Sequence, residues 1–272
     1  MQLTSEVVRK SYDDLNALFA VAFGGHIHNG YWYSTDDDST LHVAMQRLND
    51  LVIEKVAARK GWSVLDLGCG TGELARQFAE KSGCESVGVS NSQVQMAEAN
   101  AAARAANLDG LAKFQFADAH SLPFPDARFD AALAVESLCQ MEDRPRVFSE
   151  IARVLRPGGR LVVVDFAERV TISPGQKDFL TAEQQADFMR FGEIGDLFGR
   201  AGFHLLESMD LSWNIPLSQA TMLEAIRQRR TELSAHYSAE FIDTFEDNWM
   251  KISEIFEKHM AYLLLIAEKA PL

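Results

Sequence analysis

The sequence predicts an α/β fold: a doubly wound, mainly parallel sheet of seven strands, covered by helices on both faces. Three observations carry this. A short apolar run, Val64-Leu65-Asp66-Leu67, meets the glycine-spaced turn Gly68-Cys69-Gly70-Thr71-Gly72 and then a helical pattern, which is the order strand, tight turn, helix. Downstream, apolar strands and helices take turns up to Asp165, and such alternation gives parallel strands joined by crossover helices. Finally, residues 260–267 form an apolar run behind a long helical stretch, expected as a last strand antiparallel to the others.

The elements follow in order. Residues 5–23 carry Val7, Val8, Tyr12, Leu15, Leu18, Phe19 and Phe23 at helical spacing, so an N-terminal helix is expected, stopped by Gly24-Gly25. The ring-rich loop from His26 to Trp32 and a helix over about 39–59 lead into the glycine strand. Glu85 to Val89 reads as strand two, Ser90-Asn91-Ser92 as the cap of an alanine-rich helix, and Lys113 to Phe116 as strand three. His120 to Asp126 holds two prolines, which interrupt regular structure. Phe129 to Glu136 is a nearly continuous apolar strand of the kind buried on both faces. A helix over 144–155, the turn Arg156-Pro157-Gly158-Gly159 and strand five over 160–165 follow. Helices over 176–188 and 191–201, strand six over 203–212 and a mostly helical insertion over 216–258 precede the last strand. No Pro/Gly/Ser linker divides the chain, so one continuous domain is expected: a helical cover over 1–60, a cofactor-binding core over 61–168, and the remaining strands with a helical lid, about 213–258, over 169–272.

The composition sets bounds. A formal net charge of -13 without a long Lys/Arg cluster speaks against a nucleic-acid backbone as partner and favours a neutral or cationic small molecule. The longest apolar run, residues 261–267, is too short to span a bilayer, and residues 1–6 lack a basic segment followed by an apolar core. A cytoplasmic protein with no membrane partner is expected; a homodimer is compatible with the sequence. Cys69, Cys84 and Cys139 lack metal-ligand spacing. His26 and His28, two residues apart, pack or cap their loop as readily as they ligate, and without a third ligand no metal is expected.

The glycine turn is a nucleotide-type site in which a β-carbon would push both backbone and ligand away, with Gly68 and Gly70 as points of close approach. Its spacing, D-x-G-x-G-x-G, differs from the G-x-G-x-x-G of dinucleotide sites. It resembles the signature of class I S-adenosylmethionine-dependent methyltransferases, and the segments Asp118-Ala119-His120-Ser121-Leu122-Pro123-Phe124 and Arg156-Pro157-Gly158-Gly159 resemble that family too. The resemblance implies a Rossmann-like methyltransferase fold with S-adenosylmethionine as cofactor. It implies that Asp66 organises the cofactor's amino end while Gly68 and Gly70 lie against its methionyl and ribose parts. Asp118 would accept from the adenine amino group, with the backbone N–H of Ala119 serving a ring nitrogen. No acid ends strand two, and Ser90, Asn91 and Gln93 match the cyclopropane-synthase-like subset, in which Ser or Thr and a following Gln replace it. The stretch around Phe23 to Trp32 resembles the sugar- and polyketide-modifying relatives, whose loop folds over the cofactor. Tyr12, His28, Asn29 and Trp32 are the matching positions, and Glu136 matches a position beside the cofactor's amino group.

A sulfonium methyl is already electrophilic, so the main tasks are alignment and exclusion of water. Sugar-modifying relatives carry a His-His pair where this chain has Cys139 and Gln140, so that base is not carried over. Asp165, at the end of strand five, is the first candidate for a base or orienting acceptor, and His28 the second; a strand-end hydrogen bond is the plain structural alternative for Asp165. The expected activity is methyl transfer to O, N or C of a small, partly hydrophobic metabolite in natural-product biosynthesis. A cyclase or rearrangement enzyme that retains the cofactor and a non-catalytic binding module are the alternatives.

Overall fold

The computed structural model describes residues 4–25 and 28–271. At its centre lies β1 (Ser63–Leu67), all five residues buried, flanked in parallel by β2 (Glu85–Ser90) and β4 (Phe129–Val135). Beyond them come β3 (Ala112–Phe116), parallel to β2, and β5 (Leu155–Glu168), parallel to β4. The two-residue β6 (Met189–Arg190) pairs with the end of β5. The late strand β7 (Phe203–Asp210) is reached across β8 (Met260–Lys269), which runs antiparallel to both β5 and β7. The order is therefore β3-β2-β1-β4-β5-β8-β7, the mainly parallel sheet with a reversed last strand that the sequence predicts.

Period-2 alternation divides the core. Val64, Leu133, Val164 and Leu264 face one side with helix α2 (Leu41–Val56), while Leu65, Leu67, Val163 and Leu265 face the other with α5 (Arg144–Val154). On the flanks, α3 (Glu73–Ser82) follows β1 and α4 (Gln93–Ala105) follows β2. The Arg156 to Gly159 turn survives inside β5 as an irregularity. Phe129 pairs Leu155 but Ala131 pairs Arg160, and Gly158 takes φ 72°, so the extra residues loop out of the ladder.

Helix α1 (Ser5–Phe23) is capped by Thr4, whose side chain accepts from the Val7 N–H, and stops at Gly24 in the left-handed region. Its apolar side meets the later helices: Leu18 and Phe23 cluster with Met222, Ile226, Leu233 and Trp249. Those residues belong to α8 (Ile215–Gln228), α9 (Arg230–Leu233) and α10 (Ala239–His259), which all lie between β7 and β8. Helix α6 (Pro174–Gln184) ends four residues before the predicted Phe188, because Gln185 takes the left-handed φ of 45°. Phe191 to Glu193 make a single 3₁₀ turn before α7 (Ile194–Arg200). Among the described residues no helix is long and apolar enough to cross a membrane.

Candidate active site

The carboxyl ends of β1, β2 and β4 open onto a crevice, the edge at which open α/β sheets bind ligands. Its floor is the glycine turn. Gly68 (φ 76°) and Cys69 both donate to the Val89 carbonyl, at 2.9 and 3.0 Å. A β-carbon on Gly68 would stand 2.5 Å from that of Ser137, and one on Gly72 would collide with the Phe114 ring. Gly70 (φ 54°) has open space beside it and lines the crevice. The turn is thus packed from below and clear above.

Asp66, Gly68 and Gly70 line one side, and Ser90, Asn91, Asp118 and Ala119 line the other. Asp66 is buried, and its Oδ2 finds no hydrogen-bond partner among the described residues. Burial pushes its carboxyl up to about 7. An acid so placed suits a cationic amine, since a paired charge offsets the cost of burying the carboxylate. Asp118 is half-exposed and accepts from His120 through both backbone N (2.9 Å) and Nδ1 (2.7 Å). Partial burial raises its carboxyl, but these bonds outweigh it and leave the group below its ordinary range. Ser90 Oγ donates to Gln95 Oε1 at 2.8 Å, and Asn91 Nδ2 donates to the Ser5 carbonyl at 3.0 Å. The crevice is therefore roofed from α1, which also supplies Tyr12 and Phe19 to its wall.

Of the residues predicted for the ribose side, Ser90 and Asn91 line the crevice and Gln93 does not. Gln93 is exposed on the first turn of α4 and lines neither cavity, whereas Gln95 lines the crevice. The signal was present in the sequence: Ser92-Gln93-Val94-Gln95 fits the S-x-x-Q capping pattern, which turns the third helical residue back toward the cap. Ser92 caps the Gln95 N–H, as expected.

A second cavity adjoins the first, and Tyr12, Phe19, Glu136 and Gln140 line both. Across this border Tyr12 donates to Gln140 Oε1 at 3.0 Å, while Gln140 Nε2 donates to the Gln184 carbonyl at 3.3 Å. Glu136 holds a left-handed φ of 46°. Its Oε1 accepts from Asn29 N and from the Tyr262 hydroxyl, both at 2.6 Å. Burial raises the Glu136 carboxyl, although those bonds pull the other way. The rest of the second cavity joins hydrocarbon from Leu15, Phe166, Phe188, Met222, Trp249 and Phe256 to polar groups of Glu183, Gln184, Gln185 and Gln219.

Three sequence-based assignments lie outside the crevice. Asn29 lines the second cavity rather than the first; its amide is turned to Glu136 and takes a bond from Gln219 Nε2 at 3.4 Å. Trp32 lines neither: its indole N–H donates to the Ser39 carbonyl at 3.1 Å and its ring lies against Gly30, so it anchors the loop. Asp165 also lines neither, because its carboxylate accepts from Cys139 N at 3.1 Å and Phe166 N at 2.8 Å. Burial pushes it up to about 6, but it clasps backbone and faces no ligand space. His28 lines the crevice and not the second cavity. Its Nδ1 pairs with the Asn29 carbonyl at 2.8 Å, and burial holds the ring below its ordinary pKa. His26 lies outside the described residues. Among those described, no group of three His, Cys, Asp or Glu is placed to hold a metal.

A family model described as a methyltransferase domain matches residues 65–163. The (+)-O-methylkolavelool synthase of Herpetosiphon aurantiacus is 34% identical over 263 residues, covering 96% of this chain and 93% of that one. The chain belongs to the class I S-adenosylmethionine-dependent methyltransferases. The methyltransferase is also 33% identical to the 27-O-demethylrifamycin SV methyltransferase of Amycolatopsis mediterranei, over 98% of each chain. Among solved structures it is similar to the [4+2]-cyclase SpnF, with a TM-score of 0.88 and 30% identity over 99% of this chain and 98% of the other. S-adenosylmethionine is its methyl donor, the acceptor is a small metabolite, and its relatives work in natural-product biosynthesis.

Proposed function

We propose that this methyltransferase moves a methyl group to a hydroxyl oxygen of a partly hydrophobic natural product. The observation that carries the reading is the pair of adjoining cavities sharing Tyr12, Phe19, Glu136 and Gln140: the crevice on the glycine turn meets a chamber that carries the rings of Phe166, Phe188, Phe245, Trp249 and Phe256. Relatives named for O-methylation support oxygen as the acceptor atom. S-adenosylmethionine, when bound, supplies an electrophilic methyl. Asp66 takes the amino end, Gly68 and Gly70 leave room for the chain, and Ser90, Asn91, Gln95, Asp118 and Ala119 meet the nucleoside. Tyr12 and Gln140 fix the border where methyl and acceptor meet, and the surrounding rings exclude water. Cytoplasmic residence fits this role.

Incubation with S-adenosylmethionine and a panel of hydroxylated terpenoid and polyketide metabolites, read by mass spectrometry, tests the reading. The expected result is S-adenosylhomocysteine together with a product 14 mass units heavier; a panel that yields neither overturns it. A second reading, ring closure without methyl transfer, is supported by the likeness to the [4+2]-cyclase and by Cys139 and Gln140 standing where relatives have histidines. It predicts a product of unchanged mass and no S-adenosylhomocysteine.

A further inference from the structure

The charge of the second cavity is one-sided. Its described lining residues include the carboxylates Glu136 and Glu183 and no lysine or arginine. Glu183 sits in the last turn of α6 and accepts from Asn248 Nδ2 at 2.9 Å. The same helix ends on this wall at Gln184 and Gln185, and a helix C-terminus carries partial negative charge on its unpaired carbonyls. Three negative features from two separate elements thus line one cavity.

Helix α10, which holds Glu183 through Asn248, carries a continuous aromatic stack. Tyr237, Phe241, Phe245 and Trp249 follow one another along α10 with ring centroids 4.7, 6.2 and 5.7 Å apart and interplanar angles of 16, 28 and 27°. From Phe241 inward exposure falls from 37% to 6% at Trp249, and the inner two rings line the cavity. The stack leads from the surface to the cavity, and the groups able to bond a polar head, Gln140 and Glu136, lie at the border with the crevice.

We propose that the cavity selects an uncharged amphipathic acceptor, a hydrocarbon skeleton with a single hydroxyl head, and turns away phosphorylated or carboxylated molecules. Glu183 sets that choice, and Phe245 and Trp249 seat the skeleton. An anion entering would leave water for a low-dielectric site holding fixed negative charge and no cation, so desolvation and repulsion act together. A neutral head loses less and can donate a hydrogen bond to Glu136 or Gln140, while the skeleton gains from leaving water. The inference rests on reading the second cavity as the acceptor's.

The test is binding, without turnover, to the full-length protein saturated with S-adenosylhomocysteine, using farnesol and farnesyl diphosphate as probes in calorimetry. Farnesol is expected to bind at least tenfold more tightly than the diphosphate. Glu183→Gln should narrow that ratio at least threefold by strengthening diphosphate binding, with farnesol within twofold of the parent. Trp249→Ala should weaken farnesol at least fivefold, and Phe245→Leu, a milder change on a half-buried wall, repeats the measurement if that variant does not fold. Equal or tighter binding of the diphosphate, no binding of either probe, or an unchanged ratio in Glu183→Gln overturns the proposal. Because methyl transfer plays no part in these readings, they fail separately from the proposed function, which fails on missing S-adenosylhomocysteine.

Discussion

At the scale of single residues the site depends on a carboxylate that the protein itself leaves unpartnered. Asp66 Oδ2 has no hydrogen bond among the described residues, and burial raises the group to about 7. A carboxyl raised in the folded state contributes stability at low pH that is lost as pH climbs from its unfolded value near 4 to about 7. Asp66→Asn removes that loss. Its apo Tm at pH 8 is expected to exceed the parent's, while calorimetry should show S-adenosylhomocysteine binding weakened at least about tenfold, or about 1.4 kcal/mol; a variant that binds as tightly as the parent would remove Asp66 from the site. Gly68→Ala acts differently, since its methyl must clear Ser137 at a φ of 76°. It is expected to cost roughly 2 kcal/mol or more of stability and to abolish cofactor binding, read by chemical denaturation and calorimetry. These positions were legible because a ligand against backbone demands glycine at fixed spacing. Gln95 was legible only through the S-x-x-Q pattern at the start of its helix, whereas the fate of Asp165 was not: a strand-end acid looks the same in sequence whether it faces a ligand or, as here, the Cys139 and Phe166 amides.

Among the elements, strands buried on both faces were the most legible: β4 is almost wholly apolar and can be little else than a central strand, and β1 runs straight into the glycine turn. Helix ends were less so: α6 stops where Gln185 turns left-handed, and no glycine marks the place. What sequence gave no sign of is how α1 is held. The Tyr237 hydroxyl accepts from Leu18 N at 3.2 Å and donates to the Asp14 carbonyl at 3.0 Å. Those two groups are one turn apart in α1, so the hydroxyl ties Tyr237 to the helix at that turn. Beyond this point the N-terminal part of α1 is tied to α4 through Ser92 Oγ to Asp13 and Asn16 Nδ2 to Glu98. The helix therefore spans the cofactor side and the later helices. Tyr237→Phe should raise amide exchange across residues 14–18 at least tenfold, yet lower Tm by no more than about 4 °C, since one partly exposed hydrogen bond is worth about 1 kcal/mol. Unchanged exchange there would mean that packing of Leu18 and Phe23 alone fixes the helix.

The whole molecule concentrates buried acid at one edge of its sheet. Asp66, Glu136 and Asp165 all lie at the carboxyl ends of strands, and burial raises all three. Elsewhere Glu85, hydrogen-bonded to Arg128, Lys113 and Ser63, is held down at about 2 despite partial burial, and the Arg153 partnership lowers Glu150. The signs oppose: lowered acids stabilise above their unfolded values and lose that contribution as pH falls, whereas raised acids lose theirs as pH rises through about 4 to 7. His28, lowered by burial, favours the folded state above its unfolded value near 6.5 and works against the raised acids, but it is one group against three. The apo protein is therefore expected to be most stable near pH 5, with Tm falling by more than about 5 °C toward pH 8. A chain of net charge -13 also repels itself more as pH rises, so the fall alone does not identify its source. Saturating S-adenosylhomocysteine separates the two. Its cationic amine beside Asp66 would hold that carboxylate ionised without cost, so the decline between pH 6 and 8 should flatten in the parent and change little in Asp66→Asn, whereas diffuse repulsion would leave both proteins with the same slope. Thermal scans at five pH values, with and without ligand, decide between them, and an apo Tm that rises steadily from pH 5 to 8 would mean that the three acids do not share the burden assigned to them.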